Sequence, residues 1–545
     1  MGRIGRGKLC ALVLLLGSCS FDPPMAGPAF GVGGTVRGLT GAGLVLGSAT
    51  GETLTVTANG AFSFSPSLRS GEEYRIIIVA EPAAPPERCV INNGAGVIAA
   101  ADVTDLSVAC TPAPPSGAPD LSFGDQGVLS LDDVLEPGAD EGARSIALDR
   151  YGRILLATVH GGGMTTKSVI WRFKEDGTPD LSFGDGGRVV LAAGPAGGFI
   201  EALHVTGDGT ILAAGTRLES ERKAEMWIVR LDRDGRLDAN FGDRGVVLLG
   251  DVLAACSART DGTAMHVAFG LAADAAGRVL VTGNGAERDC SDRDMLLLRL
   301  DGGTGRVDPS FAANGVFESQ SIGDFAADAR EDNGQTVLAA ADGSILIAGN
   351  TNLTVDFATA AAVVWRIRPD GSADPTFNTR GFVVLDDIRG GRGADTFRAL
   401  AVDAGSRIVA GGHSFNGRDQ DAVVVRFLPD GSLDPTFGEG NGIAVIRSER
   451  GDDRARRVLL DRAERVLVLG RLANGADTDV ALARLTAAGV LDLRFGAQGL
   501  VRYDGTHGND TGEGLAIDAQ DRLLIAATVA GAAGDSAIAI LRVHP

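Results

Sequence analysis

The amino-acid sequence predicts an all-β protein, a seven-bladed β-propeller of four-stranded blades preceded by a small β-sandwich. Three observations predict this fold class. Glycine is abundant, with 78 residues among 545, whereas aromatic residues make up only 5%. Short apolar runs alternate with polar residues and end in tight turns. One phrase of sequence then recurs along the chain, which is typical of an array of similar structural units.

The charge balance argues against one class of partner. The formal net charge is −20 and the isoelectric point is near 4.8. A protein that binds nucleic acid needs clustered lysine and arginine to neutralise phosphates, so we predict no nucleic-acid partner. We expect the acidity to serve solubility, and we predict no cofactor. Adventitious calcium on such an acidic surface is compatible with this composition.

The first 18 residues predict a signal peptide. Arg3, Arg6 and Lys8 form a positive leader, and the apolar run 9–16 that follows is too short to span a bilayer. The four residues 16–19 resemble the bacterial lipobox, which implies that the Cys19 thiol is acylated and becomes the first residue after cleavage. The chain is therefore expected to be exported and attached to a membrane by lipid.

The residue after the acylated cysteine refines the expected location. Ser20 follows Cys19, whereas an aspartate would favour retention at the inner membrane. We therefore expect a lipid anchor in the bacterial cell envelope, at the outer membrane.

The remaining cysteines predict disulfides. Cys10 leaves with the signal peptide, and the other four form two local pairs, Cys89 with Cys110 and Cys256 with Cys290. Paired cysteines in an exported protein are typical of disulfides. A metal site is the alternative, but neither pair is accompanied by a histidine or a Cys-x-x-Cys motif.

A small β domain is expected over residues 33–111, between a tether (19–32) and a Pro-rich linker (112–118). Five or more short strands occur in this domain, and Asn59-Gly60 predicts a hairpin turn between two of them. The strand pattern and the Cys89/Cys110 pair resemble the immunoglobulin-like modules that bacterial surface lipoproteins carry near their anchors.

Residues 119–545 contain the repeated phrase Asp-x-x-Phe. Successive phenylalanines lie between 58 residues (241−183) and 70 residues (311−241) apart. These phenylalanines are Phe123, Phe183, Phe241, Phe311, Phe377, Phe437 and Phe495.

Each repeat carries four strand-like runs, which in the first repeat are 145–149, 153–158, 169–173 and 188–192. Four strands joined by glycine-bearing turns make a β-meander, and a ring of meanders makes a propeller. The phrase and its spacing resemble the delta-60 repeat family, which implies a propeller related to the NHL type across 119–545.

An arginine in the third strand of each repeat predicts how the ring closes. These arginines are Arg172, Arg230, Arg299, Arg366, Arg426, Arg484 and Arg542. The first six each precede the next phenylalanine of the phrase, whereas Arg542 has no phenylalanine after it and Phe123 has no such arginine before it. We therefore predict that the strand near 127–131 pairs with the C-terminal strand, which would protect two strand edges.

We predict structural roles for these repeated residues. Four of the arginines are preceded five residues earlier by an acid, and this odd spacing places the two side chains on opposite faces of the strand. The arginines are therefore expected to bridge to neighbouring strands or blades. The Asp-x-x-Phe phrase is expected to combine an Asx turn with a packing aromatic.

Candidate catalytic groups are few. No Gly-x-Ser-x-Gly motif with a histidine partner occurs, so we predict that the chain is not an enzyme. His204 and His266, near the innermost strands of two neighbouring blades, are the candidate metal ligands. His160 and His413 are interpreted as loop residues.

Two functions stay open. The first is a non-catalytic binding or scaffold module, expected to be monomeric, that holds a protein, peptide or glycan through one propeller face. The alternative is a lyase or hydrolase with a metal site at the channel mouth. The repeats are most irregular at 251–266, 283–293, 319–334 and 350–360. If these stretches cluster on one face, a partner surface is the hypothesis, whereas His204 and His266 meeting a carboxylate in the channel would favour the enzyme.

Overall fold

A computed structural model gives the fold of most of the chain. It describes residues 28–48, 51–65, 68–132, 135, 138–162, 166–191, 196–220, 223–250, 264–285, 294–319, 331–352, 359–448, 450–531 and 534–545. The regular structure of these residues is β throughout, as predicted, and none of it is a helix that could span a membrane. Cys19, Cys256 and Cys290 lie outside the described residues. The chain divides into two compact units, 1–114 and 115–545.

The first unit contains two four-stranded sheets with strand orders β4-β1-β8-β6 and β3-β2-β5-β7. The strands are β1 (Val32–Arg37), β2 (Leu44–Ser48), β3 (Thr53–Val56), β4 (Gly60–Ser63), β5 (Glu73–Ala80), β6 (Glu87–Asn92), β7 (Ala95–Val97) and β8 (Val103–Pro112). Alternate residues of both sheets meet in one apolar core that includes Val36, Leu46, Ile76 and Leu106. Each sheet therefore buries one face against the other.

A disulfide joins two neighbouring strands of the first unit. The antiparallel register of β6 and β8 sets Cys89 opposite Cys110, and their sulfur atoms are bonded at 2.05 Å. Both cysteines are buried in the core. The bridge fixes an edge strand of the sheet to its neighbour.

The predicted hairpin at Asn59-Gly60 is wrong. The strands on either side, β3 and β4, lie in different sheets, so the segment crosses from one sheet to the other. Asn59 instead binds the backbone of Leu39, accepting from its N–H at 2.8 Å and donating to its carbonyl at 2.7 Å. This contact between distant residues cannot be read from the local Asn-Gly pattern.

The described residues of the second unit form seven sheets, each with a path of four paired strands, numbered here 1 to 7 along the chain. Sheet 1 holds β10 (Glu141–Leu148), β11 (Ile154–His160), β12 (Lys167–Phe173) and β13 (Arg188–Leu191). Sheet 2 holds β14 (Gly198–Val205), β15 (Ile211–Ser220), β16 (Lys223–Leu231) and β17 (Val246–Leu248), with the short β18 (Ala264–Met265) beside β16. Sheet 3 holds β19 (Val267–Ala273), β20 (Val279–Gly285), β21 (Asp294–Leu300) and β22 (Val316–Glu318).

The remaining sheets repeat this plan. Sheet 4 holds β23 (Asp332–Ala339), β24 (Ile345–Asn352), β25 (Ala360–Ile367) and β26 (Phe382–Leu385). Sheet 5 holds β27 (Asp395–Val402), β28 (Ile408–Phe415), β29 (Gln420–Phe427) and β30 (Ile443–Ile446). Sheet 6 holds β31 (Arg454–Leu460), β32 (Val466–Ala473), β33 (Thr478–Leu485) and β34 (Leu500–Tyr503). Sheet 7 holds β35 (Thr511–Ile517), β36 (Leu523–Ala530), β37 (Ser536–Val543) and the N-terminal β9 (Val128–Leu131).

The sheets are arranged in a ring. The first strand of each sheet, called here the inner strand, contacts the inner strand of the next sheet, and the inner strand of sheet 7 contacts that of sheet 1. Apolar clusters fill the spaces between adjacent sheets, as between sheets 5 and 6. Radial packing of four-stranded meanders around a channel is the β-propeller arrangement that the repeats predict.

The ring closes where the sequence places the seam. In sheet 7, β9 pairs antiparallel with β37, with Leu131 opposite Ile538 and Val128 opposite Leu541. The seam extends beyond the strand, because the Gly117 N–H donates to the carbonyl of His544. The C-terminal part of the predicted linker 112–118 therefore belongs to the propeller unit, which begins at Pro115.

Candidate functional site

The repeated arginine is part of a contact between neighbouring sheets. In sheet 1, the Arg172 guanidinium lies 2.8 Å from the Asp180 carboxylate and 4.5 Å from the centre of the Phe183 ring. It also donates to the backbone carbonyl of Arg233 in the turn of sheet 2. One arginine thus contacts both the aspartate and the phenylalanine of the Asp-x-x-Phe phrase and donates a hydrogen bond to the next sheet.

The same contact recurs around the ring. The arginine–aspartate distances are 2.8 Å for Arg172–Asp180, 3.3 Å for Arg230–Asp238, 2.8 Å for Arg299–Asp308, 3.2 Å for Arg366–Asp374, 2.8 Å for Arg426–Asp434, 2.9 Å for Arg484–Asp492 and 2.8 Å for Arg542–Asp120. The seven phenylalanines of the phrase are fully buried. Because Arg542 binds Asp120 and donates to the carbonyl of Glu175 in sheet 1, the contact also spans the seam.

The phrase also contains the expected turn. The Asp180 carboxylate accepts hydrogen bonds from the N–H of Ser182 at 3.2 Å and from its hydroxyl at 2.6 Å, which makes an Asx turn. The acids five residues before the arginines bind elsewhere, as Asp421 does to Arg389 at 2.8 Å. These repeated groups therefore have structural partners.

Sequence reasoning missed a second repeated pair. Five of the seven first hairpins carry aspartate and arginine four residues apart, as in Asp149 and Arg153, which lie 2.6 Å apart. Arg153 also reaches the Asp180 carboxylate at 3.4 Å. The i,i+4 spacing at every such turn was the available signal.

Each inner strand contains one β-bulge, at its third or fourth residue. A bulge leaves one residue without a partner in the ladder and redirects its side chain. The seven bulged residues, called here the bulge ring, are Arg144, Glu201, Phe269, Gln335, Arg398, Arg456 and Glu513.

Members of the bulge ring contact one another across neighbouring inner strands. Arg144 lies 3.9 Å from Glu201, and Arg456 lies 3.5 Å from Glu513. Arg398 donates to the side-chain oxygen of Gln335 at 2.9 Å. These contacts place the side chains around the channel that the inner strands enclose.

Burial shifts the titration of the ring. Burial raises the pKa of Glu201, although the neighbouring Arg144 opposes this shift. Burial and the charge of Arg456 lower the pKa of Arg398 to about 10, so Arg398 stays positive at neutral pH. The ring side chains are partly buried, with Arg144 34% and Glu201 23% exposed, so charge interactions in the channel are screened less than at the open surface.

Positive groups concentrate at sheets 5 and 6. Arg454 and Arg471 stand directly opposite each other on β31 and β32. The charges of Arg454, Arg456 and Arg471 all lower the pKa of His413, so the three guanidinium groups lie near its imidazole. Burial and these charges hold the pKa of His413 well below its usual range, so its imidazole is neutral.

The histidines do not form a metal site in the described part of the chain. His204 is the penultimate residue of β14, whereas His266 directly precedes β19, so they lie toward opposite ends of neighbouring inner strands. No group of three histidine, cysteine, aspartate or glutamate side chains that could hold a metal occurs among the described residues. The interpretation of His160 and His413 as loop residues is wrong, because both lie buried within strands.

The irregular stretches fall largely outside the described residues. The strand ends that they join do lie on one face of the ring, the face at which the inner strands begin. We call this the upper face. The bulge ring and the Arg454–Arg471 pair lie in the upper half of the channel.

Comparison with known proteins agrees with this architecture. Residues 340–377 and 406–437 match the family described as "Domain of unknown function (DUF5122) beta-propeller". No curated protein matches the chain.

Solved structures with a similar fold are distant in sequence. A protein of unknown function from Dyadobacter fermentans is 13% identical, with a TM-score of 0.42 over 77% of this chain and 99% of the other. The polysaccharide lyase Uly1 is 10% identical, with a TM-score of 0.39 over 73% of this chain and 89% of the other. The β-propeller domain of the Trilobed protease from Pyrococcus furiosus is 9% identical, with a TM-score of 0.38 over 74% and 93%.

One prediction requires correction. The chain was predicted not to be an enzyme. This prediction is wrong, because similar solved structures include polysaccharide lyases. At this identity the likeness concerns the fold alone and assigns no activity. The family match and the sheet topology together show that the chain contains a β-propeller of four-stranded sheets.

Proposed function

We propose that the chain is a ligand-binding module of the bacterial cell envelope that takes its ligand in the upper half of the propeller channel. In this proposal the propeller has seven blades of the delta-60 type, and an immunoglobulin-like β-sandwich separates it from a lipid anchor at Cys19. The seven sheets, the seam pairing and the two-sheet core of the first unit support this organisation. The lipobox resemblance supports the anchor.

The bulge ring is the observation that carries the binding role. The arginine and phenylalanine that join the sheets are present in every repeat, because each performs the same structural task. A bulge occurs in the inner strand of every sheet, yet the bulged residue is arginine, glutamate, glutamine or phenylalanine. Packing alone would favour one residue type in equivalent surroundings, so the variation favours recognition of an asymmetric ligand.

A thermal-shift screen tests this role. The panel contains acidic and neutral peptides and oligosaccharides, and a bound ligand raises the melting temperature. The variant replaces Arg144, Arg398 and Arg456 with glutamine, and the control is Arg462→Gln, whose side chain is 73% exposed on a turn of sheet 6. We expect at least one compound to stabilise the wild type and the control but not the variant. Equal stabilisation of all three proteins, or none by any compound, would contradict the proposal.

The anchor has its own test. A Cys19→Ala variant removes the thiol that would carry the lipid. We expect the variant to leave the membrane fraction of the producing cell. Retention in that fraction would refute the anchor.

A further inference from the structure

The charge in the channel is opposite in sign to the charge of the whole protein. Six channel arginines (Arg144, Arg398, Arg454, Arg456, Arg457 and Arg471) stand with five carboxylates (Glu201, Asp395, Asp452, Asp453 and Glu513), an excess of one positive charge (6−5). The chain as a whole carries −20. A positive channel in an acidic protein attracts and concentrates anions.

Three of these arginines have unused donors. The Nε atoms of Arg144, Arg454 and Arg471 are buried and find no hydrogen-bond partner among the described residues. A buried charged donor without an acceptor costs free energy, because it has lost its water. The arginine–arginine register of β31 and β32 adds like-charge repulsion.

Arg426, one of the repeated arginines, illustrates the hydrogen-bond partners of a structural arginine in this fold. Arg426 has its Nε on Asp434, another donor on Thr436 and a third on the backbone of Ala487. It also lies over an aromatic ring. Arg454 of sheet 6 has Asp452 at 3.2 Å but no comparable set of partners among the described residues. An Nε without a hydrogen-bond partner is not by itself the difference, because the repeated Arg230 and Arg366 have one too.

Two nearby acids have backbone partners of their own. Asp395 lies at the start of β27 and accepts a hydrogen bond from the backbone N–H of Ile388 at 3.0 Å. Asp453 directly precedes β31 and accepts one from the N–H of Ala473, the last residue of β32, at 2.8 Å. Burial raises the pKa of both carboxyls, although these hydrogen bonds oppose the shift.

We infer that the channel binds an oxyanion, a carboxylate, sulfate or phosphate group, at the arginines of sheets 5 and 6. This inference rests on the proposed binding function and names the chemistry of its ligand. The planar guanidinium presents two parallel donors to such a group, and Arg398, Arg456 and Arg471 come from three different strands. The neutral imidazole of His413, whose Nδ1 is buried without a partner among the described residues, adds a polar group that carries no charge.

Binding measurements with defined anions test the inference. Titration calorimetry with sulfate, phosphate and trigalacturonate, against neutral maltotriose, distinguishes a free ion from an anion carried on a sugar. The variants are Arg398→Met and Arg471→Met, which keep side-chain volume, and the control is Arg462→Met. We expect about ten- to hundredfold weaker anion binding in each channel variant, no change in the control, and weaker binding as salt rises.

The outcomes separate this inference from the proposed function. Anion binding that is equal in the variants and the control would overturn the inference, as would no binding of any anion. If a neutral compound binds the wild type and is lost in the bulge-ring variant, the binding function stands and the oxyanion inference fails. Circular dichroism of each variant excludes a loss of fold as the cause.

Discussion

The seam arginine gives the sharpest test of how the ring is held together. In an Arg542→Ala variant, the Asp120 carboxylate loses a partner at 2.8 Å, and the ring of Phe123 loses a guanidinium that lies 4.7 Å from its centre. The carbonyl of Glu175 in sheet 1 loses its donor as well. The change therefore acts on sheet 7 and on its contact with sheet 1.

The magnitude follows from burial. The Arg542 side chain is only 3% exposed, and removal of one member of a buried ion pair costs about 3 to 5 kcal/mol. Asp120 keeps Arg522 at 3.4 Å and the hydroxyl of Ser122 at 2.6 Å, so we expect the lower end, about 3 kcal/mol. The equivalent Arg230 is 18% exposed and lies 3.3 Å from Asp238, so Arg230→Ala should cost about 1 to 2 kcal/mol.

Urea unfolding followed by far-ultraviolet circular dichroism measures both costs. We expect the midpoint to fall for both variants, and to fall further for Arg542→Ala. Arg230→Ala is the matched control, since it removes the same contact within the continuous part of the chain. An equal loss in the two variants, or a loss below about 1 kcal/mol at Arg542, would refute the reasoning from burial.

Three further predictions follow from the packing. Ser130 and Ala539 are opposite each other across the seam, so a Ser130→Cys, Ala539→Cys double variant should form a disulfide on oxidation, seen as a mobility shift. The absence of a cross-link would contradict the pairing. Gly235→Ala should destabilise more than Gly152→Ala, by about 1 to 3 kcal/mol in urea. Both glycines have positive φ, but the new Cβ meets a phenylalanine ring at 2.9 Å in the first and no described atom within 4 Å in the second.

The third prediction concerns stability at acid pH. Burial raises the pKa of Asp180, but hydrogen bonds from Ser182 and the charge of Arg172 outweigh this effect. The pKa of Asp180 is therefore below its usual value. A lowered pKa means that the unfolded chain binds more protons, so this stability is present above about pH 4 and is lost below it. Asp180→Asn should flatten the fall of the urea midpoint between about pH 4 and pH 2, and an unchanged slope would contradict the assignment.

Much of the fold could be predicted because repetition supplies the same signal many times. The Asp-x-x-Phe phrase and the third-strand arginine mark each repeat, and the unmatched Phe123 and Arg542 locate the seam. A pattern that occurs once is less informative. Asn59-Gly60 has the composition of a hairpin turn, but whether its flanking strands pair depends on which sheet each one joins.

The candidate site was not predicted, and the reason is physical. A β-bulge shifts the register by one residue, so the side chain that it sends into the channel departs from the alternation that sequence reasoning uses. Arg398 and Arg456 look like ordinary polar residues of half-buried strands. The proximity of Arg398 to the arginines of sheet 6 arises only when neighbouring sheets pack around the channel.

A crystal grown in selenate, an analogue of sulfate whose selenium scatters anomalously, tests the central claim most directly. The account predicts an anomalous peak in the upper half of the channel, within hydrogen-bond distance of guanidinium groups of sheets 5 and 6. Peaks confined to exposed arginines such as Arg462, with none in the channel, would contradict it.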